Sequence, residues 1–478
     1  LFYHLTPRML AFASEIKALL QDPDQKRAVH EEALYHYLSF LTTPAPQTLF
    51  DGIKKLPPAT WLRIQEDGSI QENRYWDVWD HTQSLKGASE EEIARKILAE
   101  LRTAVKLRKI SDVPVGVFLS GGIDSSTNAA LFSEGDTVKT FSIGYEGNYK
   151  SYQNELHFAK KMAKEVNAIY HERLLNVDDL LNFLPEMIHL QDEPIADPVC
   201  VPVYYVSKLA RDNGIVVAQV GEGADELFWG YPSWKTALKL QKMDNLPVPN
   251  FFKRLGLAAA KAMGKQTSMR YERLRRGSLD QPIFWGGAEA FSDFQKQQLL
   301  SPRLRAKLKG LTSWEAIKPI YKRYQDKARE KSPLNWMSYL DLNLRLPELL
   351  LMRVDKMSMG VSLEGRVPFL DHKFVELAMS IPQSIKTKGG IHKYILKKAV
   401  RGVIPDELID RPKQGFGVPV YEWLYDKLGV RMREELEDFC AQTDFFDRKE
   451  VMSYFDKGDA PLLWYLFNFA LWWKTYIK

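Results

Sequence analysis

The sequence predicts an α/β protein: a parallel sheet flanked by helices and followed by a helical C-terminal part, with a smaller β-rich segment in front. Three observations predict this. The continuous apolar runs Val113–Leu119, Val138–Ile143 and Ile215–Val220 read as strands buried on both faces. Helical patterns alternate with them at the spacing of strand–helix–strand units. From Lys235 onward, Leu, Lys, Arg and aromatic residues recur every three or four positions, the period of helices.

Taken in order, Met9–Phe12 is apolar, and Ser14–Leu20 has a capping start followed by apolar residues at helical spacing. Ala59–Ile64 alternates as a strand and stops at Glu66-Asp67-Gly68, a hairpin turn signal. A polar stretch, His81–Glu91, then leads into a charged amphipathic helix over Glu92–Arg108, which divides the chain into residues 1–83 and 84–478. Beyond it come the strand Val113–Leu119, a helix over Asp124–Phe132 and the strand Val138–Ile143. A helix over Tyr152–Val166, a third strand over Ile169–Leu174, a helix over Val201–Asn213 and the strand Ile215–Val220 complete the unit. There is no internal repeat and no low-complexity tract.

Composition narrows the function. The 478 residues are 45% hydrophobic and 27% charged, which excludes wholesale disorder and fibrous repeats. The 66 basic and 61 acidic residues leave a net charge of +5, far from the concentrated basic face of a dedicated nucleic-acid binder. No apolar run reaches the ~20 residues that span a bilayer; the longest, Leu462–Trp473, is broken by Asn468. Neither a nucleic-acid nor a membrane partner is therefore expected. Two cysteines, Cys200 and Cys440, cannot build a disulfide framework or a cysteine zinc site, and a reducing, cytoplasmic setting is expected.

Two turns carry the chemistry. Leu119-Ser120-Gly121-Gly122-Ile123-Asp124-Ser125-Ser126 lies where a buried strand passes into a helix, a place where free N–H groups favour an anion. The glycines allow close approach of a phosphate and the serines offer hydroxyls. Asp124 would repel phosphate unless Mg²⁺ lay between them. No Gly-Lys-Ser/Thr follows, so this is not a Walker A loop; the plain alternative is a serine-rich strand–helix turn. The second turn, Val220-Gly221-Glu222-Gly223-Ala224-Asp225-Glu226, also ends an apolar strand. In an open parallel sheet both turns point into one crevice. Asp124 and Asp225 are then joint Mg²⁺ candidates, and Glu222 is placed to orient an amine or take its proton. The alternative is a polar turn of solvated acids.

SGGIDSS resembles the loop of the ATP pyrophosphatases. VGEGADELFWGY, VDKMSMGVSLEGRVPFLDH and RPKQGFGVP, in that order and with Tyr75-Trp76, resemble the synthetase domain of glutamine-dependent asparagine synthetases. The resemblance implies an ATP-pyrophosphatase (adenine nucleotide alpha hydrolase-like) fold over residues 84–478, behind the last part of a class II glutaminase-type domain over 1–83. It implies ATP and Mg²⁺, and a ligase in which a carboxylate attacks the α-phosphate, pyrophosphate leaves, and ammonia displaces AMP. Carried onto this chain, Ser120, Gly121, Gly122, Asp124 and Ser125 would hold the pyrophosphate, with Asp124 and Asp225 on the metal. Leu119, Ile143, Val220 and Gly221 would meet the adenosine. Glu222 and Lys413 match the catalytic pair, and a cation at Lys413 would counter charge building on the α-phosphate. A solvated surface loop is the ordinary reading of such a lysine. Arg366, Glu364 and Asp355 are candidates for the acceptor pocket. Because Glu364 and Arg366 stand two apart, which on a helix would keep them from facing each other, each is expected to pair elsewhere. Lys356, Lys393, Glu193 and Asp197 are further candidates, and Cys200 reads as a core thiol.

The family pattern begins with a glutaminase domain that carries an N-terminal nucleophilic cysteine; here residue 1 is Leu1. The expectation is therefore a truncated glutaminase part with exposed sheet edges near residues 1–80, and use of ammonia rather than glutamine. The leading acceptor is aspartate, giving asparagine. Another carboxylate, such as a uronic acid, stays open. β-Lactam synthetases tend to have a tyrosine where Glu222 stands, and a non-catalytic scaffold or a tRNA-thiolating relative fits the residues less well. Small-molecule substrates are the expected partners, with a homodimer left open.

Overall fold

The computed structural model describes residues 1–6, 9–150, 152, 154–413, 415 and 417–478. The N-terminal segment contributes β1 (Phe2–Leu5), β2 (Leu10–Ala13) and β3 (Ile53–Lys55), arranged β2-β1-β3 and antiparallel, and the hairpin of β4 (Thr60–Ile64) and β5 (Ile70–Arg74). The hairpin turns as its sequence requires: Gly68 takes φ +79°, and the Asp67 carboxylate accepts from the Ser69 N–H at 2.8 Å. On β2, Phe12 stands exposed beside an edge with no partner strand among the described residues.

The central sheet is parallel throughout, in the order β10-β9-β6-β7-β8. Its strands are β6 (Val115–Phe118), β7 (Lys139–Tyr145), β8 (Ile169–Leu175), β9 (Val217–Gln219) and β10 (Glu364–Arg366). Three of these, β6, β7 and β9, are the apolar runs of the sequence, β8 is the strand expected over Ile169–Leu174, and β10 arrives from a distant part of the chain. From β6 the chain winds outward through β7 and β8, and the later strands β9 and β10 add on the other side. The topological switch point therefore falls between β6 and β9, where a ligand crevice is expected.

The helix Glu90–Leu107 starts two residues before the sequence reading, because the Ser89 hydroxyl caps the Glu92 N–H at 3.2 Å. One stripe of it, Ile93, Ile97, Leu101, Ala104 and Val105, is buried. The last helix, Ala460–Tyr476, is the apolar run noted above. It is a core element, with Trp464 and Trp472 fully buried, and no described helix is long and apolar enough to cross a membrane. It packs back on the N-terminal segment, the Phe50 and Trp472 rings meeting edge to face at 5.0 Å and the Tyr37 hydroxyl donating to the Tyr465 carbonyl at 2.8 Å. One hydrophobic core thus runs from Phe2 to Tyr476.

Candidate active site

The two glycine-rich turns sit side by side at the C-terminal ends of β6 and β9. In the first, the Ser125 hydroxyl accepts from the Ser120 N–H at 3.1 Å, donates to the Gly122 carbonyl at 3.2 Å, and lies 3.0 Å from the Ser120 hydroxyl. Gly121 has φ +74°, and a Cβ there would lie 2.6 Å from the Ala159 nitrogen, so both conformation and space demand glycine. A Cβ on Gly221 would lie 3.1 Å from the Ser125 nitrogen, which measures how closely the second turn packs on the first.

Charge converges here. The Lys393 ammonium lies 2.6–2.7 Å from both Asp124 carboxylate oxygens and 2.6 Å from Asp225 Oδ1, while Lys413 donates to Asp225 Oδ2 at 2.7 Å. Burial works to raise both aspartates. For Asp225 the two lysines outweigh it and hold the carboxyl low; for Asp124, burial and the neighbouring Asp225 leave the pKa raised. Burial opposes the charge on Lys393, but the two carboxylates prevail and push its pKa up. Gly230 makes this packing possible, since a Cβ there would collide with Asp225 Oδ1 and Lys393.

The pair Asp124/Asp225 fits Mg²⁺. That ion takes one or two protein carboxylates and completes its shell with phosphate oxygens and water. The two carboxylates come from adjacent strand tips and converge on one cationic group, Lys393, so their junction already favours positive charge. Among the described residues no cluster of three or more His, Cys, Asp or Glu would cage a metal by itself.

Glu222 points to a partner the sequence reading missed. Its Oε1 accepts from Arg353 at 2.6 Å, and the same buried guanidinium reaches Asp197 at 2.5 Å. Burial works against the charge of Arg353, but Asp197 and Glu222 keep its pKa raised. The only sequence signal was its position immediately before the VDKMSMG block. Arg411 was likewise unassigned; it pairs with Glu155 at 2.8 Å and flanks Gly122. Its neighbours Gln414 and Phe416, part of the RPKQGF block, lie outside the described residues.

The nucleoside-side candidates Leu119, Ile143 and Val220 are buried at the ends of β6, β7 and β9, and the Leu119 carbonyl accepts from the Ser142 hydroxyl. The acceptor-side candidates lie elsewhere. Glu364 and Arg366 do pair with each other, at 2.8 Å, contrary to the helix-based expectation: they occupy strand β10, where residues two apart share a face. Arg366 also donates to the carbonyls of Arg108 and Ile110, covering the end of the Glu90–Leu107 helix. Asp355 is exposed, two positions from Arg353 on the Leu351–Met359 helix and so off its face. Lys356 pairs with Asp192 at 2.7 Å and Glu193 with Lys55 at 2.7 Å, both at the N-terminal segment. Cys200 is fully buried, its thiol pushed up to about 12 by burial first of all.

A parallel sheet with a Ser-Gly-Gly turn and paired carboxylates at its switch point belongs to the ATP-pyrophosphatase class of α/β proteins. The chain is a member of the asparagine synthase family, whose pattern matches residues 96–474; a glutamine amidotransferase domain matches residues 1–76. It is 33% identical to "Asparagine synthetase (glutamine-hydrolyzing) 1" of Bacillus subtilis, over 99% of this chain and 73% of that relative. A "Putative asparagine synthetase (glutamine-hydrolyzing)" of Mycobacterium tuberculosis is 31% identical over 98% of this chain and 71% of its own length. A fungal relative, "Amidase chyE" of Penicillium rubens, is 25% identical over 79% of this chain and 60% of its own length.

Proposed function

We propose that the chain forms amides at the expense of ATP, with aspartate as the acceptor carboxylate and asparagine, AMP and pyrophosphate as products. The observation that carries this reading is the convergence of Asp124, Asp225, Lys393 and Lys413 at the tips of β6 and β9. A carboxylate oxygen of the acceptor attacks the α-phosphorus and the bond to the pyrophosphate oxygen breaks. Ser120, Ser125 and the Gly122 N–H hold the departing pyrophosphate, and Lys413 opposes the charge that builds on the α-phosphate. Bound Mg²⁺ would supply charge neutralisation between Asp124, Asp225 and the phosphates. Ammonia then attacks the acyl carbon, the bond to AMP breaks, and Glu222, oriented by Arg353, accepts the proton the nitrogen gives up.

Ammonia is the proposed donor for the polypeptide described here. Cys200 is buried, and the Cys440 thiol is pushed up to about 11, by burial first, so neither offers a thiolate. A cytoplasmic setting belongs to the same proposal.

A second reading keeps the adenylation chemistry and changes the acceptor to another carboxylate. It is favoured by the side-chain partners of Arg366 and Glu364, which engage each other and the carbonyls of Arg108 and Ile110, and by the exposure of Asp355, so that none of these side chains bonds to Glu222. Pyrophosphate release, measured with ATP, Mg²⁺ and ammonia, tests both readings. Release with aspartate alone supports the first, and release with a uronic acid but not aspartate supports the second. No release with any carboxylate would count against the ligase reading itself.

A further inference from the structure

The helix Asn250–Ala262 leaves three large apolar side chains, Phe251, Phe252 and Leu255, exposed. It has no buried residue, and it packs along the Met269–Ser278 helix through Gly256, whose Cβ position lies 3.3 Å from Leu274. Gly256, Leu257 and Ala260, on that side, are half-buried. At 100° per residue Phe251 and Leu255 point away from Gly256, Phe252 completes with them one arc about 100° wide, and all three stand 50–64% exposed; Met263, just past the helix, is exposed as well. Met243, Leu246 and Val248, just before this helix, are exposed as well. Met243 and Leu246 border a hollow of about 470 Å³ that Lys235, Lys239 and Lys242 also line. A surface helix ordinarily turns its large apolar residues to the core; here Phe251, Phe252 and Leu255 stay in the open while Leu257 and Ala260 make the packing contact.

Charge identifies the occupant. From Asn245 to Tyr271 the chain has five basic residues, Lys253, Arg254, Lys261, Lys265 and Arg270, and no acidic one. Lys253 pairs with Asp244 at 2.7 Å; among the described residues the other four have no ion-pair partner. Arg254 and Lys261 flank the apolar arc on one side. A second copy would bring the same unneutralised charge to the same face and be repelled. An anionic bilayer surface supplies both requirements at once, apolar depth for Phe251, Phe252 and Leu255 and negative headgroups for Arg254 and Lys261.

We propose that the Asn250–Ala262 helix, with the Met243–Val248 approach to it, docks this protein onto the surface of an anionic membrane. The expectation of no membrane partner rested on the lack of a spanning segment, and a helix lying in the interface needs no such length. The proposal is independent of the ligase reading, since none of these residues belongs to the crevice.

Vesicle co-sedimentation tests it. The chain is expected to sediment with phosphatidylcholine vesicles containing about 30% phosphatidylglycerol, and to be released at about 1 M salt, where screening is nearly complete. The triple variant Phe251→Ser/Phe252→Ser/Leu255→Ser and the charge variant Arg254→Glu/Lys261→Glu are each expected to bind at least about tenfold more weakly. Both should keep the wild-type urea midpoint, because the replaced side chains are exposed. Equal binding to pure phosphatidylcholine, undiminished binding of both variants, or a wild-type dimer that the triple variant abolishes without vesicle binding would each overturn the proposal. So would failure of the wild type to sediment with the anionic vesicles.

Discussion

Lys393 stands where two carboxylates from different strand tips meet, and its contacts explain why neither aspartate can be read alone. Asp225→Asn removes the partner of both lysines, leaving Lys413 unpaired and Lys393 on Asp124. Pyrophosphate release by this variant is expected to fall at least about 100-fold, since positioned charges of this kind are worth ~3 kcal/mol or more in a transition state; a rate within a few-fold of wild type would remove Asp225 from the site. Arg353 allows a second test. Arg353→Met strands Glu222 and Asp197 without their shared cation, and breaking a buried pair in this way costs about 3–5 kcal/mol. A lower urea midpoint is expected, partly restored in Arg353→Met/Glu222→Gln. That Asp124 and Asp225 would meet was legible from two glycine-rich turns at the ends of apolar strands, whereas Lys413 was a candidate only through the resemblance of its block. Arg353 was not legible. Its meaning comes from Asp197 and Glu222, which lie 156 and 131 residues away, and nothing local marks it.

At the level of elements, the apolar strands announced themselves and the polar one did not. β10 is Glu-Gly-Arg, too short to show alternation and without an apolar residue, so its strand character comes from the edge of β9 that it pairs with. That difference moved Glu364 and Arg366 from separate partners to one another. The turn after β6 makes a sharper prediction. Gly121 and Gly135 both take positive φ, +74° and +86°, but a Cβ on Gly121 meets the Ala159 backbone while one on Gly135 meets nothing within 4 Å. Gly135→Ala is expected to cost about 1–2 kcal/mol, the conformational penalty alone. Gly121→Ala should cost more and also abolish ATP-dependent pyrophosphate release. Urea unfolding of the two variants side by side measures the difference, and equal losses would show that the crowding at Ala159 is relieved by movement.

Across the whole molecule, the N-terminal segment and the rest of the chain share one interior. Lys55 on β3 is buried between Glu193 at 2.7 Å and Glu348 at 2.9 Å, and Asp192 accepts both from the Ile16 N–H and from Lys356. The boundary drawn near residue 84 follows a change in composition, which cannot register these ties. Global stability has a pH signature as well. Lys386 is fully buried, its ammonium has no hydrogen-bond partner, and burial pushes its pKa down to about 7. Between about pH 7 and 10 the unfolded chain therefore holds this proton more tightly than the folded one, so the group's contribution to stability rises with pH across that window and its deficit is full below it. Lys386→Met is expected to raise stability at pH 7 by about 2–4 kcal/mol and to flatten the dependence. Urea midpoints at pH 7 and pH 10 for both proteins check the sign; a variant less stable at pH 7 would contradict it.

The order in which the sheet is laid down has a consequence for synthesis. β9 leaves the ribosome about 145 residues ahead of β10, its outer neighbour, and the Ala460–Tyr476 helix that seals Phe50 emerges later still. A nascent chain must wait for the Ala460–Tyr476 helix before the interior around Phe50 can close. Such long-range closure is slow and leaves apolar surface open in the interval.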